Sequence, residues 1–432
     1  MDVRQTTTKK LFRHLVPLMM ILYFLAFIDR ANVSIAALTM NKDLGISAAM
    51  YGLGAGVFFI SYFICEVPSN IILAKIGARI WITRILVTWG LISVGFMFVQ
   101  NAEQLLIMRF LLGAAEAGLY PGMVYYIGQF FPANERTKAI TYFHSALPIS
   151  LAVGNILGGM LLQLDGIMGL KGWQWLFLIE GIPTVLMGLV TIKHLHNGPK
   201  DAPWLTQEEK TWLINELDRE KAEKPMGQVS VLSTFKYWET WVLTSFYLLV
   251  NIGFYGVLFW LPQIVKKLSG ASNAWASFYS GLPWIAAVFT MYYFAHKADK
   301  SAKKKHYTYI STAISGVALV ISGYLSDNPV LAMLAITLCV ASIECAIGPF
   351  WTFPTRMFHG AAGASVIATI GAIGNLGGFI GPSILGFLVG PTGGFQTSLT
   401  VMAAFIFFGG FTMLLINEDK LQPKSIAPNV KK

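Results

Sequence analysis

Charge is scarce in this sequence: Asp, Glu, Lys and Arg together make up 12% of 432 residues. A soluble domain carries about 25%, so an aqueous globular fold is excluded at the outset. Cysteine is nearly missing as well. Cys65, Cys339 and Cys345 each fall inside an apolar run, without disulfide or metal-ligand spacing, and read as small buried hydrophobes. GxxxxGK[ST] is absent, which removes an internal ATPase. HExxH, paired CxxC and GxSxG are absent too, so the common membrane hydrolases lose their chemistry. The composition and motifs therefore call for no enzyme, no metal and no cofactor.

What is present is apolar, at 55% hydrophobic residues and a mean hydropathy of +0.59. The first run, from about Leu15 to Leu38, has no small-residue cleavage pattern and is too long for a signal-peptide core, so it reads as a retained helix. Twelve runs long enough to span a bilayer follow one another: 14–38, 51–74, 80–100, 103–131, 140–163, 172–193, 238–264, 275–297, 307–326, 329–353, 361–389 and 394–416. The N-terminus, alternate loops and C-terminus hold 26 of the 32 basic residues, which predicts both termini in the cytoplasm of a plasma membrane. The net charge of +10 follows from that topology and calls for no nucleic acid.

The longest connection, 194–237, separates an N-terminal unit (1–193) from a C-terminal one (238–432). Residues 206–224 within it read as a short amphipathic helix capped by Thr206, on an otherwise solvated linker. The halves repeat weakly. FFPANER (130–136) ends span four as TFPTRMF (352–358) ends span ten; GNILGG (154–159) lies in span five as GNLGG (374–378) lies in span eleven. The pattern predicts two pseudo-symmetric six-helix bundles in an all-α membrane protein, with a site at their interface.

Ionisable residues at bilayer depth need a partner or a task. Span one carries Asp29 and Arg30; span four carries Arg109 and Glu116, seven residues apart, which is roughly 10 Å along one face. Guanidiniums suit carboxylate recognition, and acids in a poorly hydrated cavity suit proton carriage. Fixed ion pairs between helices are the other reading. Tyr62 and Glu66 share a face of span two, where Glu66 reads as a helix-end hydrogen bonder. Glu344 reads as either a site acid or a buried carboxyl, His144 as a core or functional histidine, and Glu180 as structural. Trp351 and Asn375 fall in spans ten and eleven, with Asn375 a cavity-lining candidate.

YFLAFIDRANVSIAALTM (23–40) and RFLLGAAEAGLYPGMVYYIGQFFPANER (109–136), supported by GWQWLFLIEGIP (172–183), FWTFPTR (350–356) and GNLGGFIGP (374–382), resemble the major facilitator superfamily, and within it the anion:cation symporter family. The resemblance is closest to its bacterial tartrate, phthalate, hydroxyphenylacetate and rhamnonate branch. NIILAKIGAR (70–79) carries Ala74 where the superfamily usually has Asp, and Phe27 stands where sugar-acid members often have Tyr. The resemblance implies proton-coupled uptake of a small organic anion by alternating access, by a monomer surrounded by lipid. It implies that Asp29 and Glu116 carry protons and that Arg30 organises Asp29. Arg109 would receive a carboxylate, and Tyr62 and Asn375 would add hydrogen bonds. An anion exporter or antiporter on the same scaffold, or a non-transporting membrane sensor, are the alternative functions.

Overall fold

The structure is a computed structural model that describes residues 2–223, 235–299, 303–325, 327–357, 360–392 and 394–417. Among the described residues it is helical throughout, with no strand. A helix α1 (Val3–His14) leads into α2 (Val16–Asp43), α3 (Ala48–Ile76) and α4 (Ala78–Gly95). Then come α5 (Ala102–Glu116), α6 (Leu119–Phe130), α7 (Ala133–Leu161), α8 (Gly172–His194) and α9 (Gln207–Glu223). The second half holds α10 (Trp238–Ser269), α11 (Asn273–Asp299), α12 (Lys304–Tyr324), α13 (Pro329–Met357), α14 (Gly360–Asn375), α15 (Gly377–Thr392) and α16 (Gln396–Thr412). All twelve expected spans fall on these helices. Nine helical stretches among the described residues qualify as membrane-crossing by length and composition alone. The α11 and α12 helices fall short because Ser, Thr, Tyr and Trp dilute their hydropathy.

Span four falls short for a different reason: it is broken. Its apolar run reads as one helix, but the chain leaves the helix at Ala117 and passes through Gly118 at φ +91°. A side chain there would meet Ser69 Oγ at 2.4 Å. That serine donates to the Ala117 carbonyl at 2.7 Å, and it accepts from the Trp81 indole N–H at 2.9 Å. Irregular backbone at membrane depth persists only where such groups satisfy it. Span eleven also breaks, at Leu376, between α14 and α15.

The two halves repeat one packing scheme. In the first, α2 packs on α7 and α8, α4 on α8, and α3 on α5. In the second, α10 packs on α14, α15 and α16, α12 on α16, and α11 on α13. The repeated GN motifs mark equivalent contacts: Gly154 and Gly158 lie against Ile28 and Ile35 of α2, as Gly374 and Gly377 lie against Tyr247 and Ile252 of α10. The bundles meet along two seams related in the same way, α3 with α15 and α7 with α11.

Both seams close at the end bearing the 44–47, 162–171 and 270–272 connections. There the contact is largely backbone on backbone. A Cβ on Gly52 would stand 2.4 Å from the Pro382 carbonyl oxygen, and one on Gly159 would stand 2.8 Å from that of Ala274. Ser277 donates to the Asn155 carbonyl at 2.6 Å, and Tyr51 donates to that of Phe259 at 2.6 Å.

The linker differs from the solvated segment expected. Its helix α9 carries the predicted cap, with Thr206 Oγ1 accepting from Glu209 N–H at 3.3 Å and Glu209 accepting from Thr206 N–H at 2.8 Å. It also docks. Leu205, Leu213 and Leu217 are buried, Trp204 stacks on His14 at 4.7 Å, and Lys10 pairs with Glu209 at 2.8 Å. Glu220 accepts from Ala133 N–H at 2.7 Å. Alternate apolar positions on a short helix suffice for this, and the sequence did not show which surface they would cover.

Two outcomes follow. Gly52→Val should force α3 off α15, and spin labels on the two helices near that end should report a longer separation than in the unsubstituted protein. Burial pushes the Glu209 carboxyl up, but Lys10 and Thr206 outweigh it and hold it below the usual carboxylate range. The docking it stabilises is therefore complete above the ordinary carboxylate pKa and lost as pH falls through the lowered one. Glu209→Gln should raise hydrogen exchange across α9 at neutral pH to the level that acid produces in the unsubstituted chain.

Candidate functional site

Consecutive helical residues point about 100° apart, and on α2 this sends Asp29 and Arg30 to different places. Asp29 turns into the first bundle. Its Oδ1 accepts from Ser93 Oγ at 2.9 Å and from Asn32 Nδ2 at 3.4 Å, and its Oδ2 accepts from Thr184 Oγ1 at 3.0 Å. Arg30 turns towards the other bundle and donates through Nη2 to Glu116 Oε1. The inference that Arg30 organises Asp29 is therefore corrected: adjacent in sequence, they have separate partners.

The Arg30 guanidinium is enclosed by rings, 4.7 Å from the centre of Phe27, 5.1 Å from Phe58 and 5.6 Å from Tyr62. The Tyr255 phenol of α10 lies beside it from the second bundle. Planar guanidinium over aromatic faces is attractive, by about 2 kcal/mol where water is excluded. Glu116 reaches this spot because α5 ends there. With the helix broken after it, the carboxylate stands at a helix terminus, and only Oε1 is used; the buried Oε2 makes no hydrogen bond.

Arg109 departs from expectation most. Although it stands at the interface against Phe259 of α10, its guanidinium is turned onto α3: it donates through Nε to the Gly54 carbonyl at 3.1 Å and through Nη2 to the Ala55 carbonyl at 2.8 Å. It is 1% exposed, between Phe58 and Phe259. With Nε and Nη2 occupied by backbone, it ties α5 to α3 in this conformation. Glu66 also differs: α3 runs on to Ile76, so Glu66 is not at a helix end, and its side chain stands within electrostatic reach of Tyr62 and Arg30.

Further from the closed end the surroundings become half-buried. Tyr23 and Tyr120 lie 5.5 Å apart, with the His144 ring 6.1 Å and 6.2 Å from them. Opposite, on the second bundle, Trp351 meets Tyr247 at 5.1 Å, and Asn251 donates to the Gly374 carbonyl at 3.1 Å beside Asn375. Tyr23 is within electrostatic reach of Tyr247 and Tyr255, so the two sets face one another. His144 Nδ1 is buried without a partner. Glu344 is buried within reach of Tyr247 and Tyr255.

The structure thus assembles Arg30, Glu116, Tyr62, Trp351, Asn375, His144 and Glu344 around one interface, holds Arg109 at the same interface with its guanidinium on the α3 carbonyls, and places Asp29 behind it. Sequence reasoning missed Tyr23, Tyr120, Tyr247 and Tyr255. Their only signal was the tyrosine at regular helical spacing before Phe27 and after Tyr247, which a core stripe also produces. A groove of about 290 Å³ between α11, α12 and α13 is separate; its wall includes Ile310, Ile314 and Leu338, which belong to the exposed apolar perimeter.

Arg109→Lys retains the charge and loses the fork. It should destabilise the chain by about 1.5–3 kcal/mol, the worth of one hydrogen bond to a charged group, read as a lower thermal unfolding temperature.

Residues 19–382 match the Major Facilitator Superfamily. A proposed tartrate transporter of Agrobacterium vitis is 39% identical over 96% of this chain and 96% of its own length. A quinolone resistance transporter of Acinetobacter baumannii is 38% identical over 100% of this chain and 98% of its own. The inner membrane transport protein RhmT of Escherichia coli is 38% identical over 85% of each. Among solved structures, a bacterial homologue of the human lysosomal transporter Spinster superposes with a TM-score of 0.76 at 17% identity, covering 95% of this chain and 98% of that one. A D-xylose-proton symporter superposes with a TM-score of 0.74 at 16% identity, covering 96% and 100%. The twelve-helix fold, the repeated bundles and these relatives agree: the chain is a multi-pass transporter, not an enzyme, and it belongs to the major facilitator superfamily.

Proposed function

We propose that the chain takes up a small organic carboxylate together with protons, by alternating access, through a bacterial inner membrane. The observation that carries this reading is Arg30: a guanidinium at the bundle interface, caged by rings, whose ion-pair partner is Glu116. Breaking a buried ion pair by removing one partner costs roughly 3–5 kcal/mol. If Glu116 takes a proton, Arg30 loses that partner, and the carboxylate of a substrate is the natural replacement. Proton and anion would then bind together because each makes room for the other. Asp29 is the second proton carrier in this scheme, and Tyr62, Trp351 and Asn375 complete the substrate's surroundings, with His144 and Glu344 as further lining groups. Arg109 enters only if it leaves the Gly54 and Ala55 carbonyls as the bundles rock.

The excess of Lys and Arg on the N-terminal side supports cytoplasmic termini, with the closed seams facing the periplasm and the half-buried vestibule facing inward. A monomer in lipid is sufficient for this cycle. Tartrate, named for the Agrobacterium relatives, is the first substrate to try. Hundredfold accumulation needs about 2.7 kcal/mol, within reach of one or two protons at ordinary membrane potentials.

The relative named for quinolone resistance favours a second reading, export of an aromatic acid in exchange for protons, which the ring-lined interface would also suit.

Proteoliposomes separate the two. Tartrate uptake should follow an inward proton gradient and collapse with an uncoupler. Glu116→Gln should lose proton-driven accumulation at least tenfold while keeping tartrate exchange, and Arg30→Lys should lose both. Uptake indifferent to the gradient, together with proton-driven quinolone efflux, would establish the exporter instead.

A further inference from the structure

The first bundle holds five buried charged side chains at membrane depth: Asp29, Arg30, Arg109, Glu116 and Glu180. Arg30 is matched with Glu116, and Arg109 is held by carbonyls within reach of the same acid. Three acids against two guanidiniums leave an excess of one negative charge, and the excess lies away from both cations, where α2, α4 and α8 meet.

There, Glu180 lies one turn before Thr184 on α8, and Thr184 donates to Asp29 Oδ2 at 3.0 Å; the Asn32 amide, which donates to Asp29 Oδ1 at 3.4 Å, lies beside Glu180 as well. Glu180 is 7% exposed, and neither of its carboxyl oxygens has a hydrogen-bond partner of ordinary geometry. The nearby groups are neutral: Ser93 and Thr184 donate to Asp29, and the buried Trp89 indole lies alongside it. Among the described residues, no cation is recorded within electrostatic reach of Asp29 or Glu180. The α4 helix contributes Trp89 and Ser93; the titratable groups of α7 (Glu135, Arg136, Lys138, His144) lie well before Gly154, which is the residue packed on α2 at Ile28. Arg30 stands on another face of α2, paired with Glu116 of α5, which is a further acid within electrostatic reach of Asp29. Two neighbouring carboxylates in such a place cannot both keep their charge without a counter-ion, and they titrate as a unit.

We propose that Asp29 and Glu180 form a two-carboxyl site that holds one proton between them, distinct from the Arg30–Glu116 pair and untouched by substrate. This deepens the proton-coupled reading above. One transported proton would reside inside the first bundle, where Glu180 is a positioning residue that determines whether Asp29 is charged. A proton is the fitting occupant because it needs no space: Ser93, Thr184 and Asn32 already crowd Asp29.

Infrared difference spectroscopy of the full-length protein, without substrate, tests it. A pH jump should reveal a protonated-carboxyl stretch that Asp29→Asn and Glu180→Gln each abolish, that the double variant diminishes no further, and that Glu116→Gln retains. Persistence of the band in folded Glu180→Gln, or separate additive losses in the two single variants, would overturn the shared proton. Loss of the band in the unsubstituted protein when sodium replaces choline would overturn it in favour of a metal-cation site. Should Asp29→Asn fail to fold, Thr184→Val leaves both acids in place and should shift the band; an unshifted band counts against the pair. Because no substrate is present, a positive result stands even if uptake proves independent of protons, and that failure would then belong to the transport reading alone.

Discussion

A guanidinium in the middle of a membrane protein cannot be left unpaired, and Arg30 makes the architecture around it intelligible. Its counter-charge comes from α5, a different helix, so the position of Glu116 has to be fixed independently. The break at Ala117 and Gly118 fixes it. That break is tolerable only because Ser69 supplies the missing donor to Ala117 and is itself held by Trp81. A chain of hydrogen bonds running through α3 and α4 therefore sets where one carboxylate can stand. The rings of Phe27, Phe58 and Tyr62 keep water from weakening the pair, and Tyr255 links it to the opposite bundle.

Much of this was written in the hydrophobic pattern. Every span lies on a helix because an apolar run of membrane length has no other way to satisfy its backbone. Thr206 caps α9 as the capping-box rule requires. Other features depend on direction, which a run of apolar residues on all sides does not disclose. That Asp29 and Arg30 diverge follows from helix geometry; which of them meets the interface does not. Arg109 and Glu116 share a face, yet one is captured by the carbonyls of α3 and the other is released by the end of its helix. The break itself hid inside an uninterrupted apolar stretch, although Gly118 and Pro121 were there to be read. Glu180, taken alone, looked structural. Only its nearness to Asp29, set by the packing of α8 on α2, gives it a second acid to contend with.

The repeat makes the asymmetry of the two halves informative. Gly158 on Ile35 and Gly377 on Ile252 show the same close helix approach used twice. Among the described residues the buried charge at the interface is not duplicated: Arg30, Arg109 and Glu116 lie in the first bundle, while the second offers tyrosines, Trp351, Asn375 and Glu344. A division of labour is built on this, with charge handled on one side of the interface and shape on the other.

The seams that close one end are made mostly of glycine laid on carbonyl oxygen, and that material has a bearing on how such a chain can diversify. Contacts without side chains leave almost no room for a larger residue, so a seam that opens under the proposed alternating access would tolerate little substitution. The ring-lined walls between the bundles carry no such restriction. Drift can therefore rewrite what is carried while the machinery that carries it stays constant, and relatives with very different cargoes are what a scaffold of this kind would be expected to leave behind.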